Sequence, residues 1–331
     1  MDHTKDDLRI YQALPLEMKI KMTKERIKAW YEYWQGDVYL SFSGGKDSTV
    51  LKHIIDGMYD IPSVFVNTGL EYPEIQKFAM SQKNVVTVRP TMRFDEVILK
   101  YGYPVISKEI SDVVEGARHN KNSRRYEKLF GIPSNFGEKY NAENYSYLYD
   151  APFEISPKCC NVMKKAPARK YAKETGRKPI VATMCEESML RETAWLRYGC
   201  NAFEGKTPRS APMSFWTEQD VLRYLKKYNV PYCEIYGDIV QKSGIEGQTC
   251  LTDIFGNEVE FGELETTGAK RTGCMFCMFG CVAEKESRLV RLKETHPKQY
   301  EFIMKPKEKG GLGYKEVIDW INEHGNLNIK Y

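Results

Sequence analysis

Residues 38 to 48 read VYLSFSGGKDS and combine an apolar segment with small, charged and hydroxyl residues. We predict a strand that turns through two glycines into a helix. Glycine permits a tight turn, and the N-terminus of a helix presents N–H groups to an anion. A lysine adds positive charge, and two serines add short donors. The segment therefore predicts a phosphate site formed by Ser43, Gly44, Gly45, Lys46, Asp47 and Ser48.

This segment differs from the Walker A phosphate loop. That motif requires Gly where Leu40 stands and Ser or Thr where Asp47 stands. We expect Asp47 to orient a bound Mg²⁺ or the leaving pyrophosphate, and not to act as a base.

The cysteines form a second group of residues capable of chemistry. Two of them are adjacent, Cys159 and Cys160, and a CxxC motif follows at Cys274 and Cys277. A CxxC motif alone suits zinc, a redox pair or an iron-sulfur centre. Four thiolates from two distant segments suit a [4Fe-4S] cluster, which takes four cysteines.

Two further cysteines keep alternatives open. Cys281 could replace one of the adjacent cysteines as a cluster ligand or could be a free nucleophile. Zn²⁺ is the alternative metal, in a closed tetrahedral site. That zinc site would consist of Cys250, Cys274, Cys277 and Cys281.

Alternating strand and helix patterns predict the elements that position these residues. Strand patterns cover residues 38–42, 63–67, 85–88 and 179–183, with helical patterns between the first three and again over 163–174. This alternation predicts an α/β fold with a parallel sheet. Ligands of open parallel sheets bind beyond the carboxyl ends of the strands, where Ser43, Thr68 and Gly69 fall.

The remaining segments complete the predicted organisation. We expect helices over residues 6–35, 284–304 and 314–322, a surface excursion over 120–150 and a β-hairpin within 241–273. The predicted domains are an N-terminal helical segment (1–35), a nucleotide-binding domain (36–240), and a region of hairpin, Cys-rich segment and helices (241–331).

Composition restricts the class of protein. The 331 residues are 42% hydrophobic with a net charge of +4, enough apolar residues for a sizeable core. No apolar run reaches the length of a membrane span, and the polar, acidic start does not resemble a signal peptide. We therefore expect a cytoplasmic protein with no membrane partner. The basic stretch from Lys158 to Lys178 suits an anionic nucleotide, a nucleic acid or a solvated helix face.

The loop SGGKDS resembles that of the PP-loop ATP pyrophosphatase superfamily. The resemblance implies a Rossmann-like fold of the adenine nucleotide alpha-hydrolase type. It also implies that the loop holds ATP with Mg²⁺ while the α-phosphate is attacked.

Four further strings resemble the phosphoadenosine phosphosulfate (PAPS) reductase family, in particular its iron-sulfur adenylyl sulfate reductases. They are KCCNVMKKAP at 158–167, NTGLEYPE at 67–74, EESMLR at 186–191 and APMSFWTEQDV at 211–221. The resemblance implies a [4Fe-4S] cluster on Cys159, Cys160, Cys274 and Cys277, with Lys164 beside it. It also implies that the nucleotide is bound by Thr68, Gly69, Glu71 and Arg191, with Arg191 on a phosphate or sulfate.

The chain departs from those reductases in two places. Asn67 replaces the usual Asp, and no cysteine follows Cys281 in the sequence, whereas the reductases use a C-terminal Glu-Cys-Gly thiolate. The sequence is also similar to the PAPS-reductase-like proteins of DNA phosphorothioation systems. This similarity favours ATP-dependent activation, with pyrophosphate release, coupled to sulfur transfer onto a nucleic-acid or small-molecule acceptor.

Two alternative functions stay open: a sulfonucleotide reductase that releases sulfite, and a zinc-stapled nucleic-acid-binding module. The family resemblance also implies a cysteine desulfurase or a thioredoxin-like electron donor as partner. The sequence does not predict an oligomeric state.

Overall fold

The computed structural model describes residues 3–133, 141–205, 207–242, 251–252, 258–259, 262–282, 284 and 287–331. These residues form two compact units, each built from separate stretches of chain. The first unit comprises Met1–Asn67, Tyr72–Val88 and Ala168–Thr272, and the second comprises Thr68–Glu71, Arg89–Pro167 and Gly273–Tyr331. The domains predicted from the sequence were drawn from the roles of the segments, whereas these units are defined by compactness. The predicted domains therefore stay a prediction.

A six-stranded sheet forms the centre of the first unit. Its strands are β1 (Val38–Phe42), β2 (Ser63–Val66), β3 (Val85–Val88), β4 (Lys178–Val181), β5 (Asn201–Ala202) and β6 (Arg209–Ser210). Their order is β3-β2-β1-β4-β6-β5, and every pairing is parallel except that of β5 with β6. The prediction of an α/β fold with a parallel sheet is confirmed.

The order of the sheet reverses at β1, since β2 lies on one side of it and β4 on the other. Crevices at such switch points, beyond the carboxyl ends of the strands, are where doubly wound sheets bind ligands. Strand β1 is buried on both faces, with Val38 and Leu40 fully inaccessible. A continuous apolar run is typical of a central parallel strand. The loop that follows β1 therefore begins from the rigid middle of the sheet.

Short antiparallel pairs follow the sheet along the chain. They pair β7 (Ile239–Gln241) with β10 (Leu264–Thr266), and β8 (Leu251–Thr252) with β9 (Glu258–Val259).

Thirteen α-helices lie within the described residues. They are α1 (Lys5–Ala13), α2 (Leu16–Tyr33), α3 (Lys46–Asp56), α4 (Pro73–Ser81), α5 (Phe94–Tyr101), α6 (Lys108–His119), α7 (Arg124–Leu129), α8 (Ala166–Thr175), α9 (Met189–Tyr198), α10 (Glu218–Lys227), α11 (Arg288–Thr295), α12 (Pro297–Met304) and α13 (Tyr314–Gly325). Shorter 3-10 helices cover Glu143–Asp150, Cys185–Glu187, Glu234–Tyr236 and Lys307–Lys309, and a π-helical turn covers Asn161–Lys165. No helix among the described residues is long and apolar enough to cross a membrane.

Proline divides two of the helices that the sequence predicted as continuous. The first predicted helix is two helices, because Pro15 adopts an extended conformation as the N-cap of α2. The helix predicted over 284–304 is also two, α11 and α12, and Pro297 begins the second. Proline lacks an N–H and crowds the preceding turn, so it starts a helix well but interrupts one.

The segment predicted as a surface excursion is partly helical. It contains α7 and the 3-10 helix Glu143–Asp150, and residues 134–140 lie outside the described part. The guanidinium of Arg118 holds this segment by donating to the carbonyl oxygens of Leu148, Tyr149, Ala151 and Phe153 at 2.7–3.0 Å. These bonds replace the backbone pairing that an irregular segment lacks.

Candidate functional site

The loop after β1 turns tightly enough to bring its backbone N–H groups to the start of α3. Gly45 is the N-cap of α3, and Gly44 has a φ of +73°. A Cβ at Gly44 would lie 3.1 Å from Ala79 Cβ and from two atoms of Ile75. Both the backbone angle and the space therefore require glycine at this position. The turn lies at the predicted glycines, and α3 begins at Lys46, directly after them and without a side-chain cap.

Serine hydroxyl groups shape the inside of the turn. The Ser43 and Ser48 hydroxyl oxygens lie 3.0 Å apart, and Ser48 Oγ donates to the Gly45 carbonyl at 2.9 Å. The Ser43 N–H donates to Ser48 Oγ at 3.3 Å. These serines therefore hold the loop closed, in addition to any contact with a ligand.

The ammonium group of Lys46 lies in a buried charged environment. The residue is 4% exposed, and its Nζ lies 3.2 Å from Glu218 Oε1, 3.5 Å from Asp47 Oδ1 and 3.3 Å from the Lys270 carbonyl. Burial disfavours the charged form, but Asp47 and Glu218 outweigh this effect and raise the pKa of Lys46. Lys46 is thus a permanent positive charge at the N-terminus of α3.

One carboxylate oxygen of Asp47 is buried and forms an ion pair with Lys46. Its Oδ1 is buried and lacks a hydrogen bond within the described part of the chain, although Lys46 Nζ lies 3.5 Å away. Burial raises the pKa of the Asp47 carboxyl, and the charge of Lys46 acts in the opposite direction. A buried carboxylate oxygen without a hydrogen bond is an available ligand for a divalent cation.

Arg191 belongs to the same charged environment. Ser188 caps the helix α9 that carries it, and its guanidinium pairs with Glu187. Burial lowers the pKa of Arg191, and the nearby positive charge of Arg271 lowers it further, while Asp47 opposes both. Its predicted contact with phosphate or sulfate stays a prediction.

A cavity of about 170 Å³ in the first unit is lined in part by Arg191. It is lined by Val181, Thr183, Met184, Cys185, Arg191, Ala194, Trp195, Tyr198, Gly199, Cys200, Ala202, Arg209, Ala211 and Ser214.

The sequence reasoning missed three residues at the loop: Glu218, Tyr236 and Thr272. Glu218 pairs with Lys46, and the Tyr236 hydroxyl accepts the backbone N–H of Lys46 at 3.1 Å. Thr272 Oγ1 lies 2.6 Å from that hydroxyl. These residues are 172 to 226 positions beyond Lys46 in the sequence. The sequence offered two indications. The string APMSFWTEQDV at 211–221 contains Glu218, and in the string RTGC Thr272 stands two residues before a predicted metal ligand.

The four cysteines predicted as cluster ligands line one small cavity of about 20 Å³ in the second unit. Its lining consists of Leu70, Phe94, Pro104, Cys159, Cys160, Met163, Lys164, Cys274, Phe276 and Cys277. The adjacent cysteines begin a helical segment that continues into the π-helical turn, and their sulfur atoms lie 3.9 Å apart. A helical backbone therefore allows two consecutive cysteines to line one cavity.

Positive charge surrounds this cysteine cavity. The Cys159 hydrogen bond, together with Lys108, Lys164 and Lys165, lowers the pKa of the Cys160 thiol to about 6, whereas the same bond and burial raise that of Cys159. Burial disfavours the charged form of Lys164, but Cys274 and Glu71 outweigh it and raise its pKa. The lysines favour a thiolate at Cys160, the form of cysteine that binds metals, whereas burial raises the pKa of Cys274 and raises that of Cys277 to about 11.

Thr68, Gly69 and Glu71 lie in the second unit, in the short stretch that contains Leu70. The Thr68 N–H and hydroxyl both donate to the Glu71 carboxylate, at 3.0 Å and 2.8 Å. Lys164 Nζ lies 4.0 Å from the same carboxylate. Glu71 thus has two protein partners, and the predicted nucleotide contacts of these three residues stay predictions.

The other described cysteines are buried and poorly suited to act as nucleophiles. Burial raises the pKa of Cys185 and of Cys281 to about 12, and it also raises the pKa of Cys200 and Cys233. Cys281 points its thiol at the Cys277 carbonyl and does not line the cysteine cavity. Cys250 lies outside the described residues.

No group of three or more His, Cys, Asp or Glu within the described ranges is arranged to hold a metal ion. The cysteine cavity brings four thiols to one place without this arrangement. A single zinc ion requires sulfur ligands at about 2.3 Å, whereas each cysteine of a [4Fe-4S] cluster binds a different iron. Four thiols that line one cavity are donors of the type that zinc and iron-sulfur clusters both take.

Parts of the basic stretch have partners within the protein. Lys158 pairs with Glu115 at 2.7 Å, and Lys170 lies 3.8 Å from Glu174. Arg177 donates to the Val38 carbonyl at 3.1 Å. The two ion pairs reduce the positive charge that Lys158 and Lys170 offer to a nucleic acid, whereas the neutral carbonyl leaves the charge of Arg177 in place.

The chain is similar to one protein-family model and to two curated proteins. A family model described as phosphoadenosine phosphosulfate reductase domain matches residues 37–105 and 118–282. An uncharacterized protein of Methanocaldococcus jannaschii is 26% identical over 215 residues, 63% of this chain and 35% of that protein. Sulfate adenylyltransferase subunit 2 of Agrobacterium fabrum is 22% identical over 213 residues, 59% of this chain and 56% of that protein. The match thus spans about a third of the length of the first relative and just over half of the length of the second.

Among solved structures, the phosphate complex of phosphoadenylyl-sulfate (PAPS) reductase from Candida auris is similar, with a TM-score of 0.38 and 15% identity. The similarity covers 71% of this chain and 91% of that one. The family model covers most of the chain, including the phosphate loop and both pairs of cavity cysteines. The chain therefore belongs to the phosphoadenosine phosphosulfate reductase domain family.

Proposed function

We propose that this protein binds ATP with Mg²⁺ at Ser43–Ser48 and activates an acceptor by adenylyl transfer, which is followed by sulfur transfer. An acceptor oxygen attacks the α-phosphorus, the bond to the β-phosphate oxygen breaks, and pyrophosphate leaves with Mg²⁺. A sulfur nucleophile then displaces AMP from the activated acceptor. The observation that carries the proposal is the buried, charged Lys46 at the N-terminus of α3, beside a carboxylate oxygen of Asp47 without a hydrogen bond.

Each residue of the loop has a part in this reaction. Lys46 and the N–H groups of the helix start stabilise the charge that builds up on the leaving pyrophosphate. Asp47 holds the divalent cation through its buried Oδ1. Arg191 binds a phosphate oxygen through its planar guanidinium. The name of one relative, sulfate adenylyltransferase subunit 2, supports adenylyl transfer as the class of reaction.

The thiols support this function over reduction of a sulfonucleotide. Reduction through a covalent intermediate requires a thiolate that attacks sulfur. Outside the cysteine cavity, the described cysteines are buried and their pKa values are raised by burial. A buried thiol with a pKa of about 12 is almost entirely protonated at neutral pH.

The cysteine cavity supports a [4Fe-4S] cluster on Cys159, Cys160, Cys274 and Cys277. A cluster there would supply electron transfer or polarise a sulfur group. Lys164 holds positive charge beside the thiolates and stabilises them. The sulfur donor would be a desulfurase or a thioredoxin-like protein, and the acceptor a nucleic acid or a small molecule.

Pyrophosphate release tests the nucleotide half of the proposal. Reconstituted protein is incubated with Mg²⁺-ATP, and separately with adenylyl sulfate or PAPS plus a dithiol. We expect pyrophosphate from ATP, and we expect Lys46→Ala to abolish it. Lys52→Ala is a matched control, because Lys52 lies buried on the same helix but pairs with Asp56. Sulfite from a sulfonucleotide would overturn the proposal in favour of the reductase, and tight nucleic-acid binding without either product would favour the binding module.

Anaerobic purification tests the metal centre. We expect a brown protein that absorbs broadly near about 400 nm, as thiolate-bound iron does. Cys277→Ser should remove most of the iron, whereas Cys281→Ser should retain it because Cys281 does not line the cavity. A colourless protein with one equivalent of zinc would show that the cysteines hold structural zinc and not a cluster.

A further inference from the structure

The Tyr236 hydroxyl group occupies a position next to the phosphate loop that the resemblance to the family did not assign. It accepts the Lys46 backbone N–H at 3.1 Å and lies 2.6 Å from Thr272 Oγ1. A Cβ built on Gly45 would come within 3.2 Å of this hydroxyl and 3.5 Å of Thr272 Oγ1. Both hydroxyl groups therefore border the backbone of the loop itself.

Counting hydrogens shows that this pair has one donor left over. Each hydroxyl carries one hydrogen and can accept twice. The Lys46 N–H donates to Tyr236, so only one of the two hydroxyl hydrogens is needed between the two oxygens. If Tyr236 donates to Thr272, the Thr272 hydrogen is left over, and if Thr272 donates, that of Tyr236 is left over. In both arrangements one O–H beside Gly45 has no acceptor among the hydrogen bonds of the described residues.

The side chains hold this donor in place at low entropic cost. Tyr236 is 2% exposed, and its ring lies 5.7 Å from Lys46 Nζ. It ends a 3-10 helix, and the Tyr232 hydroxyl fixes the following turn by donating to the Gly237 carbonyl at 2.9 Å. A donor that is already ordered loses little freedom when it binds a ligand.

We propose that the Tyr236–Thr272 hydroxyl pair is part of the phosphate site and donates its remaining hydrogen to the β- or γ-phosphate of the bound nucleotide. This inference rests on the proposed binding of ATP at the loop. The pair extends the row of N–H donors at the start of α3, since the Lys46 N–H acts through Tyr236. A chain of hydrogen bonds that ends on an anion polarises each member and strengthens the last one.

The pair also predicts discrimination between nucleotides. AMP has no phosphate beyond the α position, so it gains nothing from a donor to the β- or γ-phosphate. ATP and inorganic pyrophosphate gain a hydrogen bond to a charged oxygen. The loss of such a bond weakens binding roughly 10- to 100-fold.

Calorimetry on the full chain with ATP, pyrophosphate and AMP tests the proposal. Tyr236→Phe and Thr272→Val should each weaken the binding of ATP and of pyrophosphate about 10-fold or more. The affinity for AMP should stay unchanged. The double variant should lose little more than either single variant, because the two hydroxyls act as a unit. Tyr59→Phe is the matched control and should bind ATP as the parent does, because Tyr59 lies after the end of α3 and its ring stacks on Tyr31 at 3.8 Å.

The outcomes separate this inference from the proposed function. The parent could bind ATP in a manner that requires Lys46 while both hydroxyl variants bind ATP as tightly as the parent. In that case the role proposed for the hydroxyl pair is wrong and the proposed function stands. An equal loss for AMP and ATP would assign the pair to holding the loop, and would also overturn the inference. If the parent binds neither ATP nor pyrophosphate, the proposed function fails first. Thermal unfolding of each variant checks that it is folded.

Discussion

At the scale of single residues, the phosphate loop depends on charges and on space that only one residue type can provide. Lys46 remains charged although it is buried, because Asp47 and Glu218 face its ammonium group. Gly44 adopts a left-handed conformation with side chains packed against its Cα. Both features can be tested with single substitutions.

The contribution of Lys46 to nucleotide binding should not change with pH in the neutral and mildly alkaline range. Its pKa is raised above the ordinary value of 10.5, so the ammonium group stays protonated from about pH 7 to about pH 9. We expect the ratio of ATP affinities between the parent and Lys46→Ala to be constant over that range. Calorimetry at several pH values measures it. A ratio that falls between pH 7 and 9 would mean that Lys46 loses its proton there.

Two glycines with the same backbone angle should respond differently to alanine. Gly44 and Gly69 both have a φ of +73°, but only Gly44 has atoms within 4 Å of an added Cβ. Gly69→Ala should lower the free energy of unfolding by about 1–2 kcal/mol, because alanine disfavours the left-handed conformation. Gly44→Ala should cost more, since its Cβ would meet Ile75 and Ala79 at 3.1 Å. Denaturant unfolding without nucleotide checks the order, which equal losses would contradict.

At the scale of elements, a buried ion pair connects α2 to α10. Lys19 Nζ lies 2.6 Å from Asp220 Oδ2, and both side chains are almost inaccessible. The same carboxylate accepts the Thr217 N–H at 2.7 Å as part of the capping box of α10. One carboxylate therefore fixes both the start of α10 and its position against α2.

Removal of this lysine should destabilise the protein far more than removal of a surface lysine between the same helices. Lys19→Met leaves the Asp220 charge buried without its partner, which costs about 3–5 kcal/mol. Lys227 pairs with Glu17 across the same two helices, but both side chains are more than half exposed. Lys227→Met should therefore cost less than about 1 kcal/mol. Urea unfolding of both variants tests this, and similar losses would contradict the role of the buried pair.

At the scale of the whole molecule, the phosphate loop and the cysteine cavity belong to different compact units. Chain continuity joins them at Thr272 and Gly273, directly before Cys274. Each unit is built from separate stretches, so each has its own core and its own predicted ligand.

The two predicted ligands should therefore protect different parts of the chain. With ATP, hydrogen exchange should slow at the start of α3 and around Tyr236. Loss of iron under anaerobic chelation should instead speed exchange near Phe276, whose carbonyl accepts the buried Tyr314 hydroxyl at 2.7 Å. At 100 times its Kd, ATP should add about 2.7 kcal/mol to the stability of the state that binds it. Protection by ATP alone at both places would contradict separate responses.

The sequence by itself determined the local features of this protein. The apolar run of β1, the glycine turn and the start of α3 follow from residue type and spacing, because strand pattern and turn chemistry act over a few residues. The alternation of strands and helices predicted the parallel sheet for the same reason. Predictions failed where one proline outweighed a longer helical pattern, at Pro15 and Pro297.

Only the tertiary structure decided which distant groups meet. Glu218, Tyr236 and Thr272 reach Lys46 from positions that no local pattern relates to the loop. The burial that raises the pKa values of Asp47 and Cys281 is likewise a property of the packed molecule. Solvent exclusion and the convergence of charges depend on contacts between segments far apart in sequence, so spacing alone does not contain them.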